Sequence, residues 1–266
     1  MTKPSAQPHV LLSAPQLLSP RHGTTMLLLA AAAGAVNAGA FAVCDRFVTH
    51  VTGTLTRIGT DAAHWLLMLE YSMVLASFVV GAMVSVLAIQ GRALRGKPPM
   101  PAAPLIGTVA VLLLAAALGD AGAFGPIGAP AEEAVHFAFL SLLAFGMGLL
   151  NATVASSTAL AVRTTHMTGP ASDFGVHLAT AWFSDGEARR QALQLAALRG
   201  GKLVAFVAGA ALMFPLVPAM GFGAFGLPAL LLVVSVARSF APISPSQSPS
   251  PSTLTALTSP ESIAQR

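Results

Sequence analysis

The chain has few charged residues and a single cysteine, and each scarcity excludes a class of protein. Only 9% of its 266 residues are charged, against about 25% in soluble domains, which excludes an ordinary soluble globular protein. Cys44 is the only cysteine, so the chain can form no intrachain disulfide and no cysteine-based metal cluster. Hydrophobic residues make up 55% of the chain, and the mean hydropathy is +0.73. This composition is typical of a membrane protein.

Six hydrophobic runs are long enough to cross a bilayer, which takes about 20 apolar residues. The predicted spans lie near 24–43, 64–90, 103–120, 134–161, 199–218 and 221–238.

Both terminal segments lack such runs, and we predict that they are disordered because they cannot bury enough apolar surface to fold. The first is rich in proline and the last in serine and proline. The predicted organisation is a disordered segment at 1–23, a three-helix repeat at 24–120, a second repeat at 121–240 and a disordered tail at 241–266.

Basic residues are distributed unevenly between the two sides of the predicted bundle. Twelve Lys and Arg residues fall on one side, and only Arg46 and Arg57 fall on the other. The positive-inside rule therefore predicts that both termini are cytoplasmic. The net charge of +4 would suit nucleic acid in a soluble protein, but here the basic residues flank hydrophobic spans. We expect the lipid bilayer, and not nucleic acid, as their partner.

The two halves of the chain repeat the same blocks in the same order. The block "LLAAAAGAVNA" matches "LLAFGMGLLNA", which aligns Asn37 with Asn151. The block "THVTG" at 49–53 matches "THMTG" at 165–169. Repetition of a polar pentapeptide in an apolar chain indicates that the two halves share one structure.

A third block extends the match, with "FVVGA" at 78–82 against "FVAGA" at 206–210. The second half has an additional polar stretch, "DGEARRQALQLA", which suits a short amphipathic helix on the cytoplasmic surface. Because each half holds three spans, an odd number, the second copy enters the membrane from the opposite side. The predicted fold class is an all-α membrane bundle of about six spans, built from two inverted three-helix repeats.

Asn37 and Asn151 are the polar residues within these apolar runs. An unsatisfied amide is costly in the bilayer core, so each side chain must face protein or water. Two interpretations stay open. Each Asn either forms a hydrogen bond between helices or lines a polar path, and the neighbouring Gly34 and Gly148 favour close helix packing.

The two TH-x-TG segments follow the Asn residues near the end of a span. Gly53 and Gly169 can adopt backbone angles closed to other residues, and Thr52 and Thr168 can satisfy carbonyls that a break releases. We therefore predict a broken or re-entrant helix at each segment.

The titratable residues near the segments have two readings each. His50 and His166 either carry a proton near neutral pH or are neutral and bonded to a carbonyl at a helix end. Glu70 is the one acid inside a span, and it is either buried or interfacial. Arg163 and Asp173 flank the second segment, where they either pair across a bend or are interfacial charges.

The segments "GAVNA", "THVTGT", "GLLNA" and "TTHMTG" resemble those of the bacterial YoaK-like, DUF1275 membrane proteins, over residues 24–238. The resemblance implies about six spans in the bacterial inner membrane and no established activity. The chain departs from the family pattern at Asn37, where Asp is common, and at Thr54, where Asn is common. Pro170, after the second segment, favours a helix break further.

We expect a small-solute secondary transporter or permease that works by alternating access of the two inverted repeats. The alternative is a structural or regulatory membrane protein that transports nothing. No nucleophile, phosphate-binding or metal motif is present in the sequence, so we expect no enzymatic activity, no cofactor and no metal. The expected partners are the bilayer and a small molecule or ion, and the oligomeric state stays open. The candidate residues of the path or gate are Asn37, His50, Thr52, Gly53, Glu70, Asn151, Arg163, His166, Thr168, Gly169 and Asp173.

Overall fold

The computed structural model describes residues 19–61, 63–97, 99–128, 134–157 and 165–240, which form an all-helical bundle. Its α-helices are α1 (Pro20–Cys44), α2 (Val51–Thr60), α3 (Trp65–Ala93), α4 (Ala102–Asp120), α5 (Ala134–Ser157), α6 (Thr168–Phe183), α7 (Gly186–Met220) and α8 (Gly226–Phe240), and a 3-10 helix at Gly221–Phe225 joins the last two.

The first helix begins before the predicted start of the first repeat. It starts at Pro20, and the hydroxyl of Ser19 accepts the backbone N–H of His22. Proline is suited to the first turn because its missing N–H would have no partner there. The predicted disorder of residues 1–18 and 241–266 lies outside the described residues.

Five helical stretches of the described chain are long and apolar enough to cross a bilayer, so the protein is a multi-pass membrane protein. Four of them correspond to α1, α3, α4 and α5. The fifth runs for 54 residues, Gly186–Ser239, and contains α7, the 3-10 helix and α8. The sequence predicted two spans in this region, at 199–218 and 221–238.

The polar stretch before the predicted span at 199–218 is not a separate surface helix, which corrects the sequence-based expectation. It forms the first turns of α7, a continuous helix of 35 residues. At 1.5 Å per residue α7 is about 52 Å long, against a hydrocarbon core of about 30 Å. Its first turns therefore extend beyond the apolar layer, and they pair with α6 as a hairpin.

Each half of the chain packs mainly on the other half. The most extensive helix contacts are those of α3 with α5 and of α1 with α7. Helix α4 packs on α5, and α2 packs on α3. In the same way, α8 packs on α1, and α6 packs on α7. We call the first group, α2 to α5, body A, and the second group, α1 with α6 to α8, body B. The two bodies meet mainly where α4 packs on α8 and on the 3-10 helix, and this contact is at least as extensive as the packing of α4 on α5 and α3. Helix α4 is assigned to body A because it connects α3 to α5 along the chain.

Glycines bring the helices of each large contact into backbone contact. A Cβ at Gly34 would overlap the carbonyl of Phe206, and a Cβ at Gly209 would overlap the carbonyl of Ala31. The first repeated block of one half therefore packs on the third block of the other. The equivalent contacts between α3 and α5 are those of Gly148 with Phe78 and of Gly81 with Phe145.

The contacts also define the helix directions. Helices α1 and α7 run in the same direction, because Gly201 packs on Leu27 and Gly39 packs on Met213. Helix α8 runs opposite to α1, because Phe225, which directly precedes it, packs on Gly39, and Ser239 near its end is bonded to Thr25 near the start of α1. Helices α3 and α5 also share a direction, as shown by the contacts of Tyr71 with Phe137 and of Ser85 with Thr153.

Candidate functional site

The first TH-x-TG segment lies where the chain turns back along α1. Helix α1 ends at Cys44, and Asp45 takes a left-handed conformation with φ of 55°. The chain then returns by about two helical turns, until the backbone N–H of Thr49 donates to Asn37 Oδ1 at 3.0 Å. Asn37 Nδ2 in turn donates to the Thr49 hydroxyl at 2.5 Å. Both polar groups of the Asn37 amide are thus used to hold the turned-back segment.

One bond of this arrangement recurs at the second segment. Asn151 Oδ1 accepts the backbone N–H of Thr165 at 3.5 Å, as Asn37 does for Thr49. Helix α6 then begins at Thr168. Residues 158–164, which include the candidate Arg163, lie outside the described part of the chain.

The two segments therefore explain the repeated Asn in a way that sequence reasoning did not foresee. Each Asn bonds to the segment of its own half, so the sequence-based choice between an interhelical bond and a polar path omitted this role. The reason is spatial: a segment 12 residues further along the chain has folded back beside Asn37, which is only 6% exposed.

The glycines of the two segments do not act as predicted. Neither Gly53 nor Gly169 has a positive φ, and both lie in the first turn of the helix that follows the break. Each instead faces the ring of the histidine three residues earlier, His50 or His166. A side chain at Gly53 would displace that ring. Pro170 also lies in a first turn, where its missing N–H leaves no helical bond unmade.

The two segments are also the two places where the chain crosses between the bodies. Residues 45–50 connect α1 of body B to α2 of body A, and residues 158–167 connect α5 of body A to α6 of body B. All other connections between described helices stay within one body.

A polar cleft opens beside the first segment, between α2 and α3. It has two adjoining lobes of about 720 and 680 Å³, which share Arg46, Arg57, Asp61 and Tyr71. These volumes are in the range of small-molecule sites. The first lobe is also lined by the candidates His50, Thr52 and Gly53. We call this end of the bundle, where α1 ends and α3 begins, the cleft end.

A family model covers residues 25–237, and its description is "Protein of unknown function (DUF1275)". The chain belongs to the DUF1275 family. This confirms the resemblance at the level of the family. Comparison with curated proteins and with solved structures finds no match.

Glu70 of this DUF1275 protein lies at the cleft end. It is partly exposed and lines the second lobe together with His64 and Arg46. Of the two basic residues of the cleft, Arg57 pairs with Asp61 at 3.8 Å on the same helical turn. The cleft therefore combines charges of both signs with the threonine hydroxyls of α2.

The candidate Asp173 of the second half lies at the other end of the bundle. Asp173 pairs with Arg199 of α7 at 3.3 Å, whereas the sequence suggested Arg163 as its partner. His166 and Thr168 are exposed there, beside the start of α6.

Sequence reasoning missed Lys202. This residue stands at the edge of an apolar run in the sequence, yet it is fully buried in α7. Repeat alignment could have raised the question, because Lys202 corresponds to Val74, which lines the cleft of the first half. Intramembrane charges are by default functional candidates.

Proposed function

We propose that this DUF1275 protein is a small-solute secondary transporter or permease of the bacterial inner membrane, without enzymatic activity. Solute enters the polar cleft beside α2 and leaves at the opposite end of the bundle. The mechanism is alternating access, in which the moving units are body A and body B.

The observation that carries the proposal is the position of the two TH-x-TG segments. They form both covalent connections between the bodies, one at each end of the bundle. The first is a non-helical turn held by the Asn37 side chain, and Asn151 accepts a bond from Thr165 at the described end of the second. Such short segments are suited to absorb the backbone changes of a hinge, while the close glycine contacts keep the helices inside each body together.

The helix directions support an inverted repeat with six spans. Helix α1 has the direction of α7 and the opposite direction to α8, so the 54-residue stretch folds back on itself and crosses twice. The repeated blocks make α1 equivalent to α5 and α7 equivalent to α3. The contact of α1 with α7 is therefore equivalent to the contact of α5 with α3. In transporters such repeats are related by an axis in the membrane plane.

The moving units that we propose differ from those expected from the sequence. The two repeats were expected to rock against each other as units. Because α1 packs on α7 and α3 packs on α5, each repeat is divided between the bodies, and rocking of whole repeats would separate the closest helix contacts.

The orientation we propose has both termini in the cytoplasm and the cleft outside. Arg92, Arg95, Arg189 and Arg190 belong to the end opposite the cleft, which accords with the positive-inside rule. A cysteine replacing exposed Pro126 should react with an impermeant thiol reagent from outside, and one replacing exposed Leu94 should not. Labelling of the cysteine at position 94 but not of the one at position 126 would show that the orientation is the opposite.

The second candidate is a structural or regulatory membrane protein, and one observation favours it. The Asn37 amide is satisfied within the protein and does not face a path. Flux measurements distinguish this candidate from a transporter.

The test is uptake by the full-length protein in proteoliposomes, using a panel of radiolabelled amino acids, sugars and inorganic ions. At least one solute should show saturable uptake. Asn37→Leu and Asn151→Leu should each lower that uptake by about fivefold or more, since loss of a hydrogen bond that leaves its partner unsatisfied costs about 1–3 kcal/mol. His50→Gln and His166→Gln should change its pH dependence.

The matched control is Gln194→Leu, which replaces an exposed amide of α7. It should leave uptake unchanged. Uptake equal to that of empty vesicles for every solute, with folded protein in the membrane, would favour the structural protein instead.

A further inference from the structure

The charges of the cleft indicate which class of solute it binds, an inference that rests on the proposed function. Arg46 borders both lobes. Its Nη1 donates to the carbonyl of Asp45 at 3.3 Å. Its Nε is buried and has no hydrogen-bond partner among the described residues. The buried Nε is closed to a solute, but Arg46 is partly exposed at the cleft, and the terminal nitrogens of a guanidinium group can donate to a planar anionic group in two-pronged geometry.

Glu70 supplies the opposite charge in the same lobe. It borders the second lobe with Arg46, and within the described chain it has no ion pair. The other charges of this lobe are Arg57 and Asp61, which pair with each other. Among the described residues of this lobe, Arg46 and Glu70 are therefore the cation and the carboxylate that form no ion pair.

The overall charge of the cleft disfavours a simple anion. Asp45, Asp61 and Glu70 outnumber Arg46 and Arg57 along its walls, so a ligand with only negative charge would be repelled by the surplus carboxylate. A ligand with only positive charge would leave the charge of the Arg46 guanidinium unmatched and would be repelled by it. A solute with both charges satisfies both groups.

We infer that the cleft binds a small zwitterion of the amino-acid class, with its carboxylate on Arg46 and its ammonium group on Glu70. Tyr71 and the exposed Trp65, which border the same lobe, provide the apolar surface for the rest of the solute. The lobe of about 680 Å³ is large enough for such a molecule.

Trp65 makes binding measurable without transport. The chain has two tryptophans, and the other, Trp182, is 85% exposed at the end of α6. A Trp182→Phe variant therefore reports on Trp65 alone. In detergent, the full-length variant is titrated with a panel of L-amino acids and glycine betaine, and with propionate and ethylamine as analogues that carry one charge.

At least one zwitterion should change the Trp65 fluorescence saturably, and neither propionate nor ethylamine should do so at the same concentrations. Arg46→Gln and Glu70→Gln should each weaken binding by about tenfold or more, as expected when a charged hydrogen bond is lost. Arg95→Gln and Glu187→Gln, which remove exposed charges from the opposite end, are the matched controls and should bind as the parent does.

The inference is overturned if no zwitterion binds, if propionate binds as tightly as the zwitterion, or if Arg46→Gln leaves the affinity unchanged. Should Arg46→Gln fail to fold, Arg46→Lys replaces it, and tight binding by that variant would exclude two-pronged recognition. Zwitterion binding without uptake by vesicles would refute transport and leave this inference intact. Uptake of a sugar or an ion, without binding of any zwitterion, would support transport and overturn this inference.

Discussion

At the scale of single residues, the repeated Asn holds the following segment against its own helix. We call the pair of hydrogen bonds between Asn37 and Thr49 the clasp. Asn37 accepts the Thr49 N–H and donates to the Thr49 hydroxyl, and both groups lie where water is scarce. An Asp at this position could accept from both the N–H and the hydroxyl, because a hydroxyl can donate as well as accept. The resemblance to the family implies that Asp is common at position 37, and the clasp accommodates either residue.

The clasp predicts a difference between two substitutions of Asn37. Asn37→Leu should lower the free energy of unfolding by about 1–3 kcal/mol, because it leaves the Thr49 donor unsatisfied. Asn37→Asp should remain close to the parent protein. Denaturant titration in detergent micelles measures both, and a Leu variant as stable as the parent protein would show that the clasp contributes nothing.

At the scale of elements, backbone contact between helices is the main feature. The carbonyl of Phe206 occupies the space of a missing Cβ at Gly34, and the carbonyl of Phe78 does the same at Gly148. Small residues at such contacts let membrane helices pack closely, and this packing replaces the hydrophobic driving force that is absent in lipid. The glycines of the repeated blocks therefore serve contacts between the halves of the chain.

Gly34→Ala should destabilise the protein by about 1–3 kcal/mol, because the added methyl group forces α1 away from α7. Gly91→Ala is the matched control. Gly91 is also helical, but no atom lies near its missing side chain, and alanine there should be neutral or stabilising by up to about 1 kcal/mol. Thermal unfolding in detergent compares the two, and a stabilising Gly34→Ala would contradict the close contact.

At the scale of the whole molecule, the bodies and the repeats are different divisions of the same chain. Body A is continuous in sequence from α2 to α5, whereas body B combines α1 with the last three helices. Alternating access by the bodies requires their contact at the cleft end to open and close. The contact of Gly119 of α4 with Phe222 of the 3-10 helix lies at that end.

A disulfide between Gly119→Cys and Phe222→Cys, made in a Cys44→Ala background, should abolish uptake by fixing the bodies together. Reductant should restore it. The pair Ser85→Cys and Thr153→Cys lies inside body A, where the two hydroxyls are 2.8 Å apart, and its disulfide should leave uptake unchanged. Uptake that persists across the first disulfide would exclude relative motion of the bodies at this contact.

The sequence by itself determined the membrane class, the approximate spans, the repeat and the DUF1275 family. These properties are written in local hydropathy and in the spacing of the TH-x-TG segments. It also identified Asn37 and Asn151 as residues that need a partner. It did not identify Thr49 and Thr165 as those partners, because hydrophobic periodicity carries no signal for a chain that folds back beside its own helix.

Only the tertiary structure decided which helices pack together. Gly34 is typical of a packing residue in any arrangement of the helices. The sequence does not indicate that its contact is Phe206, 172 residues away. The burial of Lys202 and the pairing of Asp173 with Arg199 depend on the same assembly. The physical reason is that the cost of burying an apolar or charged side chain is a local property, whereas its partner is set by the packing of helices from both halves.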